Sequence, residues 1–296
     1  MTIILVRESS TFGFEVFLLK RPEHSVFMGG NFVYPGGKLE KGDGDEEVFA
    51  LSTGVSCDQA LRTLGETDSD QLGLAYWIAG IRELFEEAGI LLAYTTDSRL
   101  LSLESNAMKS RFALHRQALQ EGKKSFLQML KEEGLTLALD KCFYYAHWIT
   151  PEARTVRFDT RFFVALCPPC QEASSDANET TEGVWFKPDK ALRENLKGTI
   201  ALSPPTLKTL EDLSRFGTVK DLLSSLPDLE KPPILPILVN PRAQEVLIFP
   251  WDPQYEGFSA RKLTLTGDHG VPSGSSDNTT RLVLKDGRWL PYVKTV

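Results

Sequence analysis

The chain predicts an α/β fold, a mixed sheet flanked by helices, from two kinds of segment and the way they alternate. Short stretches that are apolar or alternating, and bounded by turn residues, have the period of strands; longer stretches carry apolar residues at helical spacing. The two kinds are interleaved along the 296 residues, which favours helices and strands packed in one body. The first strand is expected at Thr2 to Arg7, too short an apolar run for a signal peptide, and the second at Glu15 to Lys20. A helix is expected at Leu72 to Ala88, because Leu74, Trp77, Ile78, Ile81, Leu84, Phe85 and Ala88 fall on one side at about 100° per residue. Helical patterns recur at Glu104 to Glu121 and Ser125 to Glu133. Strands follow at Tyr144 to Ile149, Arg161 to Leu166 and Gly183 to Pro188. Pro204-Pro205 opens a further helix, Thr206 to Phe216, since proline is tolerated in a first turn.

Two regions stand apart from this alternation. Residues 98–140, rich in Leu, Lys, Gln and Glu, look like a helical hairpin inserted between the long helix and the next strand, with a lid, a homodimer contact and a packing excursion all open as its role. After about Pro227 the composition shifts to proline and β-formers, with strands expected at Glu245 to Phe249, Lys262 to Thr266 and Arg281 to Leu284, and a tight turn at Asp286-Gly287. The expected division is therefore a main domain over 1–226 and a small β-rich C-terminal extension over 227–296.

Composition narrows the class of function. Hydrophobic content of 42% and charged content of 25% are ordinary for a globular chain with a sizeable core. A net charge of −7 without a Lys/Arg tract argues against nucleic-acid and anionic-membrane partners, so a polyanionic substrate would need a local basic pocket. No stretch approaches the ~20 apolar residues of a membrane-spanning helix. Cys57, Cys142, Cys167 and Cys170 do not form a disulfide framework, and Cys167-Pro168-Pro169-Cys170 has no second pair to complete a zinc site. A cytoplasmic location is expected, because the terminal Lys294-Thr295-Val296 is unlike the peroxisomal Ser-Lys-Leu address.

The chemistry is concentrated in Arg82-Glu83-Leu84-Phe85-Glu86-Glu87-Ala88-Gly89-Ile90. Glu83, Glu86 and Glu87 share a stripe on the face opposite the apolar side, where they repel by a few tenths of a kcal/mol per pair if left exposed. Gly89 is placed to cap the helix, so these charges sit in its final turn, against the favourable sense of the helix dipole. A hard divalent cation would offset both penalties. Arg82, four residues before Glu86, can hold a carboxylate in one orientation. Ala79 and Gly80, a turn earlier, leave room for another backbone. The expected partner is the loop Tyr34-Pro35-Gly36-Gly37-Lys38-Leu39-Glu40-Lys41-Gly42-Asp43, where Pro35 fixes φ and the glycines permit close approach.

Loop and helix together resemble the Nudix hydrolase box, in which Gly, five residues, Glu, seven residues and then Arg-Glu-apolar-x-Glu-Glu-x-Gly-apolar bind a divalent metal and a diphosphate. Gly37 supplies the first glycine and residues 82–90 match the second half; Asp43 stands where the pattern has Glu, and lies 39 positions before Arg82 where the pattern requires 8. The extra residues, about 44–73, read as an exposed excursion with a short helix near Asp58 to Leu64, tolerable because closure entropy grows only logarithmically with loop length. The split box, with Leu18-Leu19-Lys20-Arg21, Gly30, Phe32-Val33-Tyr34-Pro35, Trp148-Ile149-Thr150-Pro151 and Arg157 to Phe163, resembles the coenzyme A diphosphatases of the mammalian Nudix 19 type over roughly residues 3–215. In one respect the chain departs from the short bacterial coenzyme A hydrolases: the spacer Pro22 to Met28 lacks their additional basic residue.

The resemblance implies a Nudix-type α/β/α sandwich and hydrolysis of a diphosphate bond with Mg²⁺ or Mn²⁺. Its first substrate is coenzyme A or acyl-coenzyme A, giving phosphopantetheine and adenosine 3′,5′-bisphosphate. ADP-ribose or a dinucleotide is the alternative, and a non-catalytic nucleotide sensor is a reading of another class, which the intact carboxylate set opposes. By position, Glu83, Glu86 and Glu87 would be metal ligands with the Gly37 carbonyl, Glu83 and Glu86 serving catalysis, and Arg82 would orient them. Gly36 and Gly37 would lie against the substrate. Glu179, in a loop before the last strand, would be a base or further ligand, whereas Glu182 reads as a strand-edge charge. Arg21, Arg157 and Arg161 are candidates for substrate phosphate or carboxylate, with Arg157 and Arg161 on one strand face if that strand begins early enough.

Overall fold

A computed structural model of the protein describes residues 1–25, 28–65, 70–176, 180–228, 231–240, 244–265, 269–273 and 278–294. The main sheet runs Ala201–Leu202, Asn31–Val33, Phe14–Lys20, Thr2–Glu8, Asp159–Leu166, Cys142–Ile149, Pro233–Ile234, with Glu182–Phe186 also paired to Phe14–Lys20. It is mixed: Thr2–Glu8 runs parallel to Asp159–Leu166 and antiparallel to Phe14–Lys20. Strand alternation divides the residues between two packed layers. Ile3, Leu5, Phe17 and Leu19 pack with Trp77, Ile78, Ile81, Leu84 and Phe85 of the helix Asp70–Ala88. Ile4, Val6, Val16 and Leu18 pack on the other face with Leu192, Leu207, Leu210 and Leu222, from the helices Pro188–Lys197, Pro204–Leu213 and Val219–Ser225. Each such side chain fully buried is worth about 1.5–3 kcal/mol, so the two interfaces together define the α/β/α sandwich.

A fork in this sheet positions the site. Phe14–Lys20 pairs along one edge with Thr2–Glu8 near its start (Val6 opposite Val16) and with Asn31–Val33 at its end (Leu19 opposite Val33), while Glu182–Phe186 occupies its other edge. The two strands sharing an edge diverge, and Pro35-Gly36 fills the gap: Ile3 N–H donates to Pro35 O (2.8 Å) and Thr2 bridges Gly36. A Cβ on Gly36 would stand 2.4 Å from the Met1 carbonyl oxygen, so only glycine fits there.

Both insertions are more integrated than their composition suggests. The excursion within the box was expected to be exposed. Instead the helices Glu46–Ala50 and Cys57–Leu64 bury Val48 and Ala60 in the same core as the long helix, with a Ser56/Gln59 capping box starting the second. The hairpin insertion forms Asn106–Gln120 and Phe126–Glu133, and the following strand Thr136–Ala138 joins Ser52–Thr53 and Ala93–Tyr94 in a three-stranded sheet that fastens the two insertions together. Beyond residue 227 a five-stranded sheet forms from Ile237–Val239, Val246–Ile248, Arg281–Lys285, Arg288–Val293 and Val271–Pro272. Asp286 and Gly287, at φ 49° and 74°, make the hairpin turn. Its Leu238, Leu247, Phe249, Leu282 and Trp289 share a core with Leu207 and Leu210.

Other expectations change. Pro188 begins the helix Pro188–Lys197 at its first turn, with Gly198 as left-handed cap, where the sequence reading ended a strand. Residues 262–265 are not a strand; Lys262 and Leu263 fold back onto the Gly257 carbonyl. The strand holding Arg161 begins at Asp159, so Arg157 precedes it and does not share a strand face with Arg161. What approaches Gly80 is a side chain of the first strand and not a backbone: a Cβ there would stand 2.9 Å from Ile3 Cδ1, whereas the glycine loop lies beside Glu83 and Glu87. Among the described residues no helix is long and apolar enough to cross a membrane.

Candidate active site

The helix Asp70–Ala88 ends at Gly89, at φ +72°, whose N–H donates to Phe85 O (2.9 Å). Its three glutamates do face away from the core, but not into open solvent. Glu87 is buried, and the Glu83 and Glu86 side chains retain 13% and 22% of their exposure. The glycine loop covers them. Gly36 N–H donates to Glu87 Oε2 (2.7 Å), fixing that carboxylate. A Cβ on Gly37 would stand 2.3 Å from Glu83 Oε1, so the bare backbone is what lets loop and carboxylate meet. The Gly37 carbonyl accepts from the Met1 amine (2.9 Å).

Arg82 is buried at the centre of this arrangement. Its Nε donates to Asp43 Oδ1 (2.9 Å) and its Nη2 to Asp43 Oδ2 (3.0 Å) and Lys38 O (2.8 Å). Its Nη1 faces Glu83 (3.1 Å) and Glu86 (3.4 Å). Asp43 is itself buried, in the short turn Lys41–Gly44, and accepts from Glu40 N–H at Oδ2 (2.8 Å). The planar guanidinium fork suits this bidentate contact, and the shorter acid reaches it because its turn lies against the helix. The residues inserted between Asp43 and Arg82 leave the pairing across the split box intact.

Burial raises the Glu83 carboxyl above its ordinary range against the pull of Arg82, and pushes Glu86 up to about 7 for the same reason, with Glu83 adding repulsion. Burial disfavours the Arg82 charge as well, but the Asp43 hydrogen bond and the surrounding carboxylates hold it firmly ionised. Asp43, Glu83 and Glu86 are thus gathered around one guanidinium, with Glu87 next along the helix and held by Gly36 N–H. All their donor atoms are oxygens, and the Gly37 carbonyl lies alongside. That deficit of positive charge and that donor set fit a hard divalent cation.

Arg82 and the four acids line a cleft of about 630 Å³; Gly36 and Gly37, expected against the substrate, are not among its lining residues. Asp43, Glu83, Glu86 and Glu87 form one wall; Gln120, Lys124 and Phe126 of the hairpin insertion form another. Asp176, in the loop before the strand Glu182–Phe186, also lines it, with Oδ1 accepting from Thr180 N–H (3.0 Å) and Oγ1–H (2.8 Å). Glu179 lies outside the described residues. Arg21 and Arg161 sit at the same end of the sheet as Met1 and Gly36, but neither they nor Arg157 line the cleft. Arg161 is buried, ion-paired to Asp159 and 4.8 Å above the Tyr76 ring. The Arg21 Nε is buried without a hydrogen-bond partner among the described residues, and exposed Arg157 donates to Thr150 O (3.2 Å). Glu182 begins its strand and is exposed.

Sequence reasoning missed Asp176, Lys124, Arg116 and Gln120. Asp176 left a trace in the polar stretch around Glu179. Arg116 and Gln120 left only an i, i+4 pair, and their partner is the Glu86 carbonyl, 30 and 34 positions away.

The fold is that of a Nudix hydrolase: a solved structure from Alicyclobacillus acidocaldarius matches with a TM-score of 0.60 at 22% identity, covering 76% of this chain and 94% of that one. The family model of the NUDT19 Nudix domain matches residues 3–215, and the chain belongs to this family of Nudix hydrolases. It is 27% identical over 314 residues to the acyl-coenzyme A diphosphatase NUDT19 of Xenopus laevis, covering 96% of this chain and 81% of the relative. With the protein of that name from Gallus gallus it shares 28% over 318 residues, covering 92% and 82%.

Proposed function

We propose that this enzyme hydrolyses the diphosphate bond of coenzyme A or acyl-coenzyme A, releasing phosphopantetheine or its acyl form and adenosine 3′,5′-bisphosphate. The observation that carries this reading is the similarity, across nearly the whole chain, to relatives named acyl-coenzyme A diphosphatase. The cleft is consistent with it, being large enough for part of a nucleotide-sized ligand and lined by carboxylates where the long helix ends.

Glu83, Glu86 and Glu87, with the Gly37 carbonyl, are the groups that would hold Mg²⁺ or Mn²⁺. Held there, such an ion would neutralise non-bridging phosphate oxygens and make water a better nucleophile, each worth on the order of several kcal/mol. The chain's own residues do the positioning. Arg82 fixes the Glu83 and Glu86 carboxylates, Gly36 N–H fixes Glu87, and Asp43 fixes Arg82. Asp176, held by Thr180 at the cleft, is our choice of acid to orient the attacking water, with Glu179 of the same loop as a further contributor.

Incubating the protein with coenzyme A, acyl-coenzyme A, ADP-ribose and dinucleotides, each with Mg²⁺ or Mn²⁺, and identifying the products tests this directly. Release of adenosine 3′,5′-bisphosphate from the coenzyme A esters is expected. Turnover of ADP-ribose with none of any coenzyme A ester would overturn the substrate assignment.

A further inference from the structure

An α-helix leaves its last four carbonyls without intrahelical partners, and here those carbonyls belong to the turn that carries Glu86 and Glu87. Water does not serve them all. Glu86 O accepts from Arg116 Nε (2.8 Å) and from Gln120 Nε2 (2.6 Å), both from the helix Asn106–Gln120 of the hairpin insertion. The same guanidinium continues to the loop that carries Asp176: Nη1 donates to Ser174 Oγ (3.1 Å) and Nη2 to Ser174 O (3.0 Å). Ser174 N–H in turn donates to Ala88 O (3.0 Å). Gly89 completes the fit, since a Cβ there would come within 3.1 Å of Arg116 Nη1 in a backbone conformation at φ +72° that side chains disfavour.

The contact does more than close a helix. A cation at a helix C-terminus opposes the local negative end of the dipole, and a charged donor makes the stronger hydrogen bond. Arg116 is also close enough to Glu87 and Asp176 for their charges to act on it. Gln120 lines the cleft itself. One side chain therefore touches the turn bearing two of the site's carboxylates and the loop bearing a third acid.

We propose that Arg116 and Gln120 are positioning residues through which the hairpin insertion holds Glu86, Glu87 and Asp176 in register, making the insertion a working part of the catalytic site. This rests on the reading that Glu83, Glu86 and Glu87 hold the divalent ion. A shell of this kind around metal ligands typically changes affinity by ~10–100-fold when removed. Gln120→Ala removes one of the two donors and has the smaller effect. Arg116→Lys keeps the charge but not the fork that spans Glu86 and Ser174, and gives an intermediate effect.

The test is Mn²⁺ binding without substrate, followed by the paramagnetic signal of free Mn²⁺, in the full chain and in Arg116→Ala, Arg116→Lys, Gln120→Ala, Glu87→Gln and the control Arg111→Ala. Arg111 lies on the same helix but pairs with Glu133, outside the site. Affinity is expected to fall by about tenfold or more in Arg116→Ala, less in Arg116→Lys and Gln120→Ala, and not at all in Arg111→Ala. Amide exchange over residues 85–90 should quicken in the same order. Unchanged Mn²⁺ affinity in folded Arg116→Ala, with affinity lost in Glu87→Gln, overturns the positioning role and leaves the metal site standing. Unchanged affinity in Glu87→Gln overturns the metal assignment beneath it. If Arg116→Ala does not fold, Gln120→Ala and Arg116→Lys decide the matter together: parental affinity in both rejects the role.

Discussion

The long helix and the hairpin insertion each carry a cluster of acids, and the two clusters are neutralised differently. In the insertion, His115, Glu132 and Glu133 bring their ligand atoms within 4.8 Å of one another, a compact grouping of the kind a metal requires. Yet each is already answered: Lys124 contacts His115 Nδ1 (3.2 Å) and Glu132, while Arg111 and His115 pair with Glu133 (3.0 and 2.8 Å). At the end of the long helix, Asp43, Glu83 and Glu86 share the single guanidinium of Arg82, and burial has raised the Glu86 carboxyl to about 7. The comparison teaches that compact spacing alone does not mark a cation site. Charge left uncompensated in a half-buried cleft is the better sign.

The largest way to break this contrast is Glu87→Gln, which should lower the hydrolysis rate by roughly three orders of magnitude, about 4 kcal/mol of activation free energy. A parental rate with metal still required would remove Glu87 from the site. Asp43→Ala comes next. It strips the buried partner from Arg82 and should cost about 3–5 kcal/mol of folding stability, read from urea unfolding midpoints and slopes. A loss below about 1 kcal/mol would mean that Glu40, Glu83 and Glu86 already suffice for Arg82.

A smaller effect is expected from pH. The Glu86 carboxyl is raised in the folded protein from 4.5 to about 7, so folding binds its proton more tightly. In metal-free protein that contribution is fully present below about pH 4.5 and is lost as pH rises through about 7. A divalent ion held by Glu86 would take the proton's place at high pH. The difference in melting temperature between Mn²⁺-loaded and chelator-treated protein should therefore widen from pH 5 to pH 8; a constant difference would detach Glu86 from the ion. Smallest of all, Glu132→Gln in the other cluster should leave the rate within about twofold, since Glu132 is exposed and does not line the cleft, although its partner Lys124 does.

Much of this was legible in the sequence because it depends on local pattern. The continuous apolar runs Ile3 to Val6 and Val16 to Leu19 identified the first two strands, which the structure buries on both faces, and the Arg82 to Ile90 run identified the acidic turn. Asn31–Val33 escaped because three residues show no period and its pairing depends on the sheet fork. Pro188 was read as the end of a strand although proline in a first turn and Gly198 beyond the last turn were both present. The hairpin's part in the site was illegible for another reason. Arg116 and Gln120 meet the Glu86 carbonyl across 30 and 34 residues, and no local preference encodes an acceptor that distant. Asp43 was readable by position, but its adequacy was not, because a missing methylene is made good by where the Lys41–Gly44 turn lies.

The most direct measurement is a Mn²⁺ titration, by the paramagnetic signal of the free ion, of the parent protein beside Glu86→Gln, Glu87→Gln, His115→Ala and Glu132→Gln. The two helix-end variants should lose affinity while His115→Ala and Glu132→Gln bind as the parent does. Affinity lost in His115→Ala or Glu132→Gln and kept in Glu86→Gln and Glu87→Gln would place the ion in the insertion and contradict the account.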